Sequence, residues 1–266
     1  MILSSSQAKI NLFFRVTSKR VDGYHEIASL YAKIDLHDDI SISLSNSDIF
    51  SVNNGFVSLT DNLVIRARDF FRKKTKIKDK ISIVLCKNIP IGSGLGGGSS
   101  NAATTLLILN RLFSEPLSLV ELFEVGASLG SDVPFFLSKN KFAYCSGRGE
   151  IVESVCIPSL GPIWIASNRE ILLSTSSVYA LCKPNALSSE NPRTILDSYI
   201  KGEPIYINDL EPFAFKLEPK LIKIKEDLYS LGFNYVSMTG SGSSFICVGD
   251  ISSPTLDCVD FHRVII

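Results

Sequence analysis

The chain has 266 residues, 45% of them hydrophobic and 20% charged, with Lys plus Arg equal to Asp plus Glu at 27 each. That length and composition exclude a disordered chain and suit one large core or two closely packed domains. A net charge of zero excludes a bulk field for nucleic acid or an anionic membrane, so any anionic ligand needs a local site. The six cysteines (Cys86, Cys145, Cys156, Cys182, Cys247 and Cys258) form no CxxC pair and have no nearby histidine at zinc-finger spacing. They are expected as reduced core residues, not disulfides or metal ligands. The first residues lack a basic n-region, and no apolar run approaches the ~20 residues of a membrane helix, which makes the cytoplasm the expected location.

In chain order, Ile10, Leu12, Phe14 and Val16 alternate with Asn11, Phe13 and Arg15, the period of a strand; Lys9 and Asn11 then share the face opposite the apolar one. A turn-rich link at 18–25 precedes two more alternating stretches, 28–36 and 40–44, so the first 45 residues are predicted to form an antiparallel meander. Leu63, Val64, Ala67, Phe70 and Phe71 predict an amphipathic helix, with Thr60 or Asp61 as N-cap and basic Arg72, Lys73 and Lys74 at its far end. A strand is predicted at 80–87, then a glycine-rich loop. The helix after it, to about Phe113, is expected to bury Ala102, Ala103, Leu106, Leu107 and Leu109. A third helix is predicted over 118–129, stopped by Gly130, and two short strands across 146–149. A composition shift at 157–162 suggests domains 1–157 and 158–266. The second part reads as a strand at 163–166, a Ser/Thr-rich turn at 174–177, a polar loop at 183–193, a helix at 219–231 closed by Gly232, and a strand-loop-strand at 235–248. Strands before helices, without regular alternation, predict an α+β fold.

The glycine-rich stretch is Pro90, Ile91, Gly92, Ser93, Gly94, Leu95, Gly96, Gly97, Gly98, Ser99 and Ser100. Glycines let backbone amides approach an anion, and the helix start that follows adds unsatisfied N–H groups and a positive dipole end. Three common phosphate loops fail on context. A P-loop needs a lysine that is absent here. Gly92-x-Gly94-x-x-Gly97 matches the dinucleotide-binding fingerprint, but its helix runs into another helix, so the acidic ribose-binding position has no home. A protein-kinase loop needs a valine where Ser99 stands, and no His-Arg-Asp or Asp-Phe-Gly follows.

Pro-x-x-x-Gly-Leu-Gly-Gly-Gly-Ser-Ser does fit another pattern, together with Lys9 on the first strand and Met238-Thr239-Gly240-Ser241-Gly242-Ser243. With these three motifs the chain resembles the GHMP kinases, the small-molecule kinases of galactose, homoserine and mevalonate. Arg20-Val21-Asp22-Gly23-Tyr24-His25-Glu26, Asp61-Asn62-Leu63-Val64, the segment 130–136 and Asn208-Asp209-Leu210-Glu211 are similar to members whose acceptor carries a cytidine diphosphate. The resemblance implies two domains, an N-terminal ATP-binding domain of ribosomal-protein S5-like type and a C-terminal α/β plait. It also implies ATP with Mg²⁺ but no dedicated protein cage for the metal, a small-molecule acceptor, no nucleic acid or membrane partner, and a monomer or weak homodimer.

It further implies roles for single residues, each set against a blander one. Asp132 is the candidate base, where the bland reading is an N-cap before Val133-Pro134. Lys9 is the second catalytic candidate, favouring the ionised aspartate and polarising the acceptor hydroxyl, where the bland reading is an exposed strand-edge lysine. Tyr24 stacks on cytosine, His25 hydrogen-bonds it and Tyr179 is the opposing aromatic; without the resemblance Tyr24 and His25 are hairpin-loop residues. Asn11 and Thr175 face the alcohol or diphosphate part, and Asn62 and Lys87 line the adenine pocket. Thr239 and Gly240 offer backbone amides toward the substrate, where the bland reading is a tight turn. His37 and His262 are read as ordinary surface residues.

Overall fold

Two long strands open the chain, β1 (Ile2–Lys19) and β2 (His25–Leu44), and they pair with each other. The stretches predicted as separate strands at 28–36 and 40–44 are one strand. The charged step between them does not break it, because Asp38 is fully buried, accepts from the backbone N–H groups of Asn88 and Ile89, and pairs with Lys87. The Lys9 and Asn11 face of β1 is buried as well as the apolar one, so Lys9 is not an exposed edge residue. The computed structural model describes residues 1–53, 62–183 and 190–266. Thr60, Asp61 and most of the predicted polar loop lie outside them.

By its contacts the chain divides into two units, Met1–Ala8 with Leu36–Ile89 and Gly96–Lys139, and Lys9–Asp35 with Pro90–Leu95 and Asn140–Ile266. In the first unit β4 (Ile81–Cys86) runs antiparallel to the C-terminal half of β2, and β3 (Ile49–Val52) runs parallel to β4. Helix α1 (Leu63–Thr75) is capped by Asn62, whose Oδ1 accepts from Val64 N at 2.9 Å. Val64, Ala67 and Phe71 are its buried face, with the Phe71 ring stacked on Phe113. Helix α2 (Gly97–Leu112) buries Ala102, Ala103, Leu106 and Leu109 as expected, but Leu107 is 39% exposed and Ile108 turns inward instead. Helix α3 (Leu119–Leu129) starts with a Ser118–Glu121 capping box, and α4 (Val133–Leu137) follows it.

In the second unit β5 (Phe142–Gly147) runs antiparallel to the N-terminal half of β2, and β6 (Ile151–Ser154) continues the hairpin. A second sheet has the order β10 (Val259–Val264), β7 (Ile163–Asn168), β9 (Phe245–Val248), β8 (Tyr235–Met238), all antiparallel. The predicted Ser/Thr turn is the start of a short helix, α5 (Thr175–Leu181). Helices α6 (Pro192–Lys201), α7 (Glu211–Leu217) and α8 (Lys220–Ser230) complete the unit, only the last of them predicted. All six cysteines are free; Cys145, Cys182 and Cys247 are core residues, while Cys156 is exposed and Cys86 and Cys258 are half-buried.

Candidate active site

The glycine loop is fixed by backbone contacts. Gly92, Gly94 and Gly96 take φ values of 66°, 78° and 69°, which side chains rarely adopt. A Cβ on Gly94 would stand 2.3 Å from the Thr239 carbonyl oxygen, so within the second unit the loop packs main chain to main chain on the 239–244 turn. Ser93 O accepts from Ser244 N at 3.2 Å, and Leu95 O accepts from Lys9 N at 3.0 Å. In the first unit Gly97, Gly98, Ser99 and Ser100 already form the first turn of α2, and Gly96 at its N-cap supplies no side chain, leaving the helix N–H groups available to an anion. The Lys87 ammonium, paired with buried Asp38, lies 3.1 Å from where a Gly97 Cβ would be, which sets a cation beside that helix start. Ser100 Oγ accepts from Ser6 Oγ at 2.8 Å, and Asn101 Oδ1 is buried with no hydrogen-bond partner among the described residues.

Lys9, Asn11, Thr239 and Gly240 come together in the second unit. Lys9 is 3% exposed; its Nζ donates to Asn11 Oδ1 at 2.6 Å and lies 4.6 Å over the Tyr31 ring. Asn11 Nδ2 donates to Ser29 Oγ, and Asn11 N donates to Thr239 Oγ1, both at 2.9 Å. A Cβ on Gly240 would meet Asn11 Oδ1 at 3.1 Å and Lys9 Nζ at 3.5 Å, so the turn approaches these side chains closely. Thr175 joins through its hydroxyl, 2.9 Å from Ser241 Oγ. The turn is held from behind by Asn208, whose Nδ2 donates to the Met238 and Gly240 carbonyls, and by Glu211, whose Oε2 accepts from Met238 N. Asn208 and Glu211 were legible as part of a family segment but had no role in the sequence reading; their only signal is an Asn and a Glu flanking the start of α7.

His25 opens β2 and is 7% exposed, whereas Tyr24, its neighbour, is 55% exposed with the Arg148 guanidinium 5.1 Å from its ring. Burial holds the His25 pKa below its ordinary value, opposed by a hydrogen bond to the Cys182 backbone carbonyl at the end of α5. His25 Nε2 is buried without a partner among the described residues, so Nδ1 makes that bond and the neutral ring keeps an open acceptor at Nε2. Tyr179, expected opposite Tyr24, has its ring against His25 at 5.2 Å. Asn62 spends its amide oxygen on the α1 cap. Asp132 occupies the N-cap position of α4, yet it is helical there (φ −83°) and its side chain makes no capping hydrogen bond, so the bland role is not taken up. Among the described residues no group of three His, Cys, Asp or Glu side chains is arranged to hold a metal, and no helix is long and apolar enough to cross a membrane.

Residues 62–140 match the family model for the GHMP kinases N terminal domain. A 4-diphosphocytidyl-2-C-methyl-D-erythritol kinase from Protochlamydia amoebophila (strain UWE25) is 42% identical over 250 residues, covering 94% of this chain and 85% of that protein. The chain belongs to the 4-diphosphocytidyl-2-C-methyl-D-erythritol kinase family. The chloroplastic/chromoplastic kinase of that name from Solanum lycopersicum is 40% identical over 260 residues, 94% of this chain and 65% of that protein. A crystal structure of a 4-(cytidine 5'-diphospho)-2C-methyl-D-erythritol kinase matches with a TM-score of 0.78 and 33% identity, covering 94% of this chain and 90% of that one. The α+β GHMP-kinase fold expected from the three motifs is therefore the fold of this kinase.

Proposed function

We propose that this kinase transfers the γ-phosphoryl group of ATP to the 2-hydroxyl of 4-diphosphocytidyl-2-C-methyl-D-erythritol, a step of isoprenoid-precursor synthesis outside the mevalonate route. The observation that carries the choice of acceptor is the open Nε2 of His25 beside the Tyr179 ring. Cytosine carries an exocyclic amino donor that suits this acceptor and a π-face that suits Tyr24 or Tyr179, whereas homoserine and mevalonate carry no ring. The kinship to relatives of that name supports the same reading.

The residues divide by task. The loop from Pro90 to Ser100 cradles the ATP phosphates, with Asn62 and Lys87 on the nucleotide side. Asn11, Thr175, Thr239 and Gly240 hold the alcohol or diphosphate part of the acceptor. Asp132 accepts the proton of the 2-hydroxyl, and Lys9 polarises that hydroxyl. The oxygen donors next to the helix start, the hydroxyls of Ser99 and Ser100 and the buried Asn101 Oδ1, fit a hard cation that keeps most of its water; Mg²⁺ bound with ATP offsets charge on the phosphoryl oxygens. Residues 1–157 form the ATP-binding domain and also carry the acceptor contacts Asn11, Tyr24 and His25, residues 158–266 add Thr175, Tyr179, Thr239 and Gly240, and the protein works in the cytoplasm as a monomer or weak homodimer.

Release of ADP, coupled to an optical readout and measured with each acceptor in turn, tests this reading. Turnover is expected with the cytidine-linked acceptor. Turnover with homoserine or mevalonate alone overturns the acceptor, and ATP binding without turnover makes the chain a nucleotide-binding regulator.

A further inference from the structure

The charge of this neutral protein is unevenly spread. Residues 66–80 hold eight of its 27 Lys and Arg against two acids, Asp69 and Asp79. Within the first unit this stretch lines a cavity of about 420 Å³ with Arg72, Lys73, Lys76, Lys78 and Lys80, joined by Asp69 and Ile77. Cations in the last turn of α1 answer the helix dipole, which accounts for Arg72, Lys73 and Lys74. It does not account for the three lysines beyond the helix.

Most of the nearby acids are already engaged. Asp48 pairs with Arg72 at 2.7 Å and with Lys80 at 3.3 Å, and these partners hold its carboxyl well below the usual range. Asp69 pairs with Arg68 at 2.8 Å, and Lys74 turns to Glu121 and Glu124. Lys73, Lys76 and Lys78 have no ion-pair partner among the described residues. Their backbone is nonetheless fixed. Lys76 takes a left-handed conformation (φ 65°) with its N–H on Arg72 O, Ile77 N donates to Thr75 Oγ1, and Arg72 reaches the Asp79 carbonyl. Holding like charges around one concavity destabilises the fold unless an anion shares it.

We propose that this cavity is a second anion site, which takes a small compound carrying two or more phosphoryl groups. Lysines bind phosphate as compact point charges, and three uncommitted ammonium groups call for several negative charges in one ligand. Among the described residues no aromatic side chain lines the cavity to stack a base, and the zero net charge gives no long-range pull on duplex nucleic acid. The site is independent of the acceptor reading above.

Isothermal titration with inorganic tripolyphosphate tests it on the whole protein, with the nucleotide site first saturated by a non-hydrolysable ATP analogue. One equivalent is expected to bind, with affinity falling as salt rises. The Lys73→Ser/Lys76→Asn/Lys78→Ser variant, with Asn chosen to tolerate the left-handed position, should bind at least about tenfold more weakly, a loss of roughly 1.4 kcal/mol, while kcat and the KM for ATP stay within twofold. Should that variant fail to fold, Lys78→Gln alone is expected to weaken binding several-fold. Absent binding to the wild-type protein, equal affinity in the variants, or equal affinity for orthophosphate overturns the proposal. Tighter binding of a short oligonucleotide than of tripolyphosphate overturns it in favour of nucleic acid.

Discussion

The glycine loop and the Tyr24–His25 region are built from different materials. The loop is held mainly by main chain: three left-handed glycines, a 2.3 Å clearance at Gly94 that admits no side chain, and carbonyls tied to Lys9 N and Ser244 N. The Tyr24–His25 region is made of side chains, with His25 gripped by the Cys182 carbonyl and the Tyr179 ring and left with one open valence. A backbone-built site fails as a whole when one residue changes, whereas a side-chain-built one loses contacts singly. Damage on the loop side should therefore reach both substrates and stability, and damage beside His25 should reach only the cytidine-bearing acceptor.

The largest effect is expected from the proposed chemistry, which belongs to neither region. Asp132→Asn should lower kcat by about 10² to 10⁴ while the protein stays folded. Wild-type turnover with a lowered melting temperature would return Asp132 to a structural role. Next comes the loop side. Asp38→Asn leaves the Lys87 ammonium buried without its carboxylate and should destabilise by about 3–5 kcal/mol, read by urea unfolding. Gly94→Ala adds left-handed strain of about 1–3 kcal/mol and pushes the 239–244 turn aside, so stability should fall and both KM values rise together. A rise in one KM alone would break the contrast.

On the base side, Tyr179→Ala or His25→Ala should raise the KM for the cytidine-linked acceptor by roughly tenfold, from the lost stacking or hydrogen bond, with kcat and the KM for ATP unchanged. An equal rise in the KM for ATP would contradict the division of tasks. The smallest effect is one of pH. Burial depresses the His25 pKa in the folded state, so the unfolded chain takes up a proton first as pH falls through its ordinary value of about 6.5. Stability from this group is complete above that value and declines as pH falls toward the folded-state pKa. The acceptor KM should stay flat through neutral pH and rise only in the acid range, where Nε2 gains a proton and stops accepting. A KM already rising at pH 7 would mean that His25 is not held neutral.

The difference in materials also explains what the sequence disclosed. Gly92, Gly94 and Gly96 are visible as glycines because the conformations they take exclude other residues, and with Lys9 and the 238–243 motif they were enough for the fold and the kinase chemistry. Asn208 and Glu211 hold the Thr239–Gly240 turn through hydrogen bonds across about 30 residues of chain, a relation without local periodicity. The merging of two predicted strands into β2 depended on Lys87 and the amides of Asn88 and Ile89 answering Asp38 from 49 to 51 residues away. Short α7 and β3 carry too few residues for a period to emerge, and Leu107 and Ile108 exchanged places because the burial of a small-residue helix is set by its neighbours.

The most direct test of the central claim follows the phosphorus itself. With ATP and 4-diphosphocytidyl-2-C-methyl-D-erythritol, ³¹P NMR should show a new phosphomonoester appear on the 2-hydroxyl in step with ADP, while the diphosphate bridge resonances persist. Orthophosphate appearing with ADP in place of that ester, or an ester formed only when homoserine or mevalonate is supplied, would contradict it.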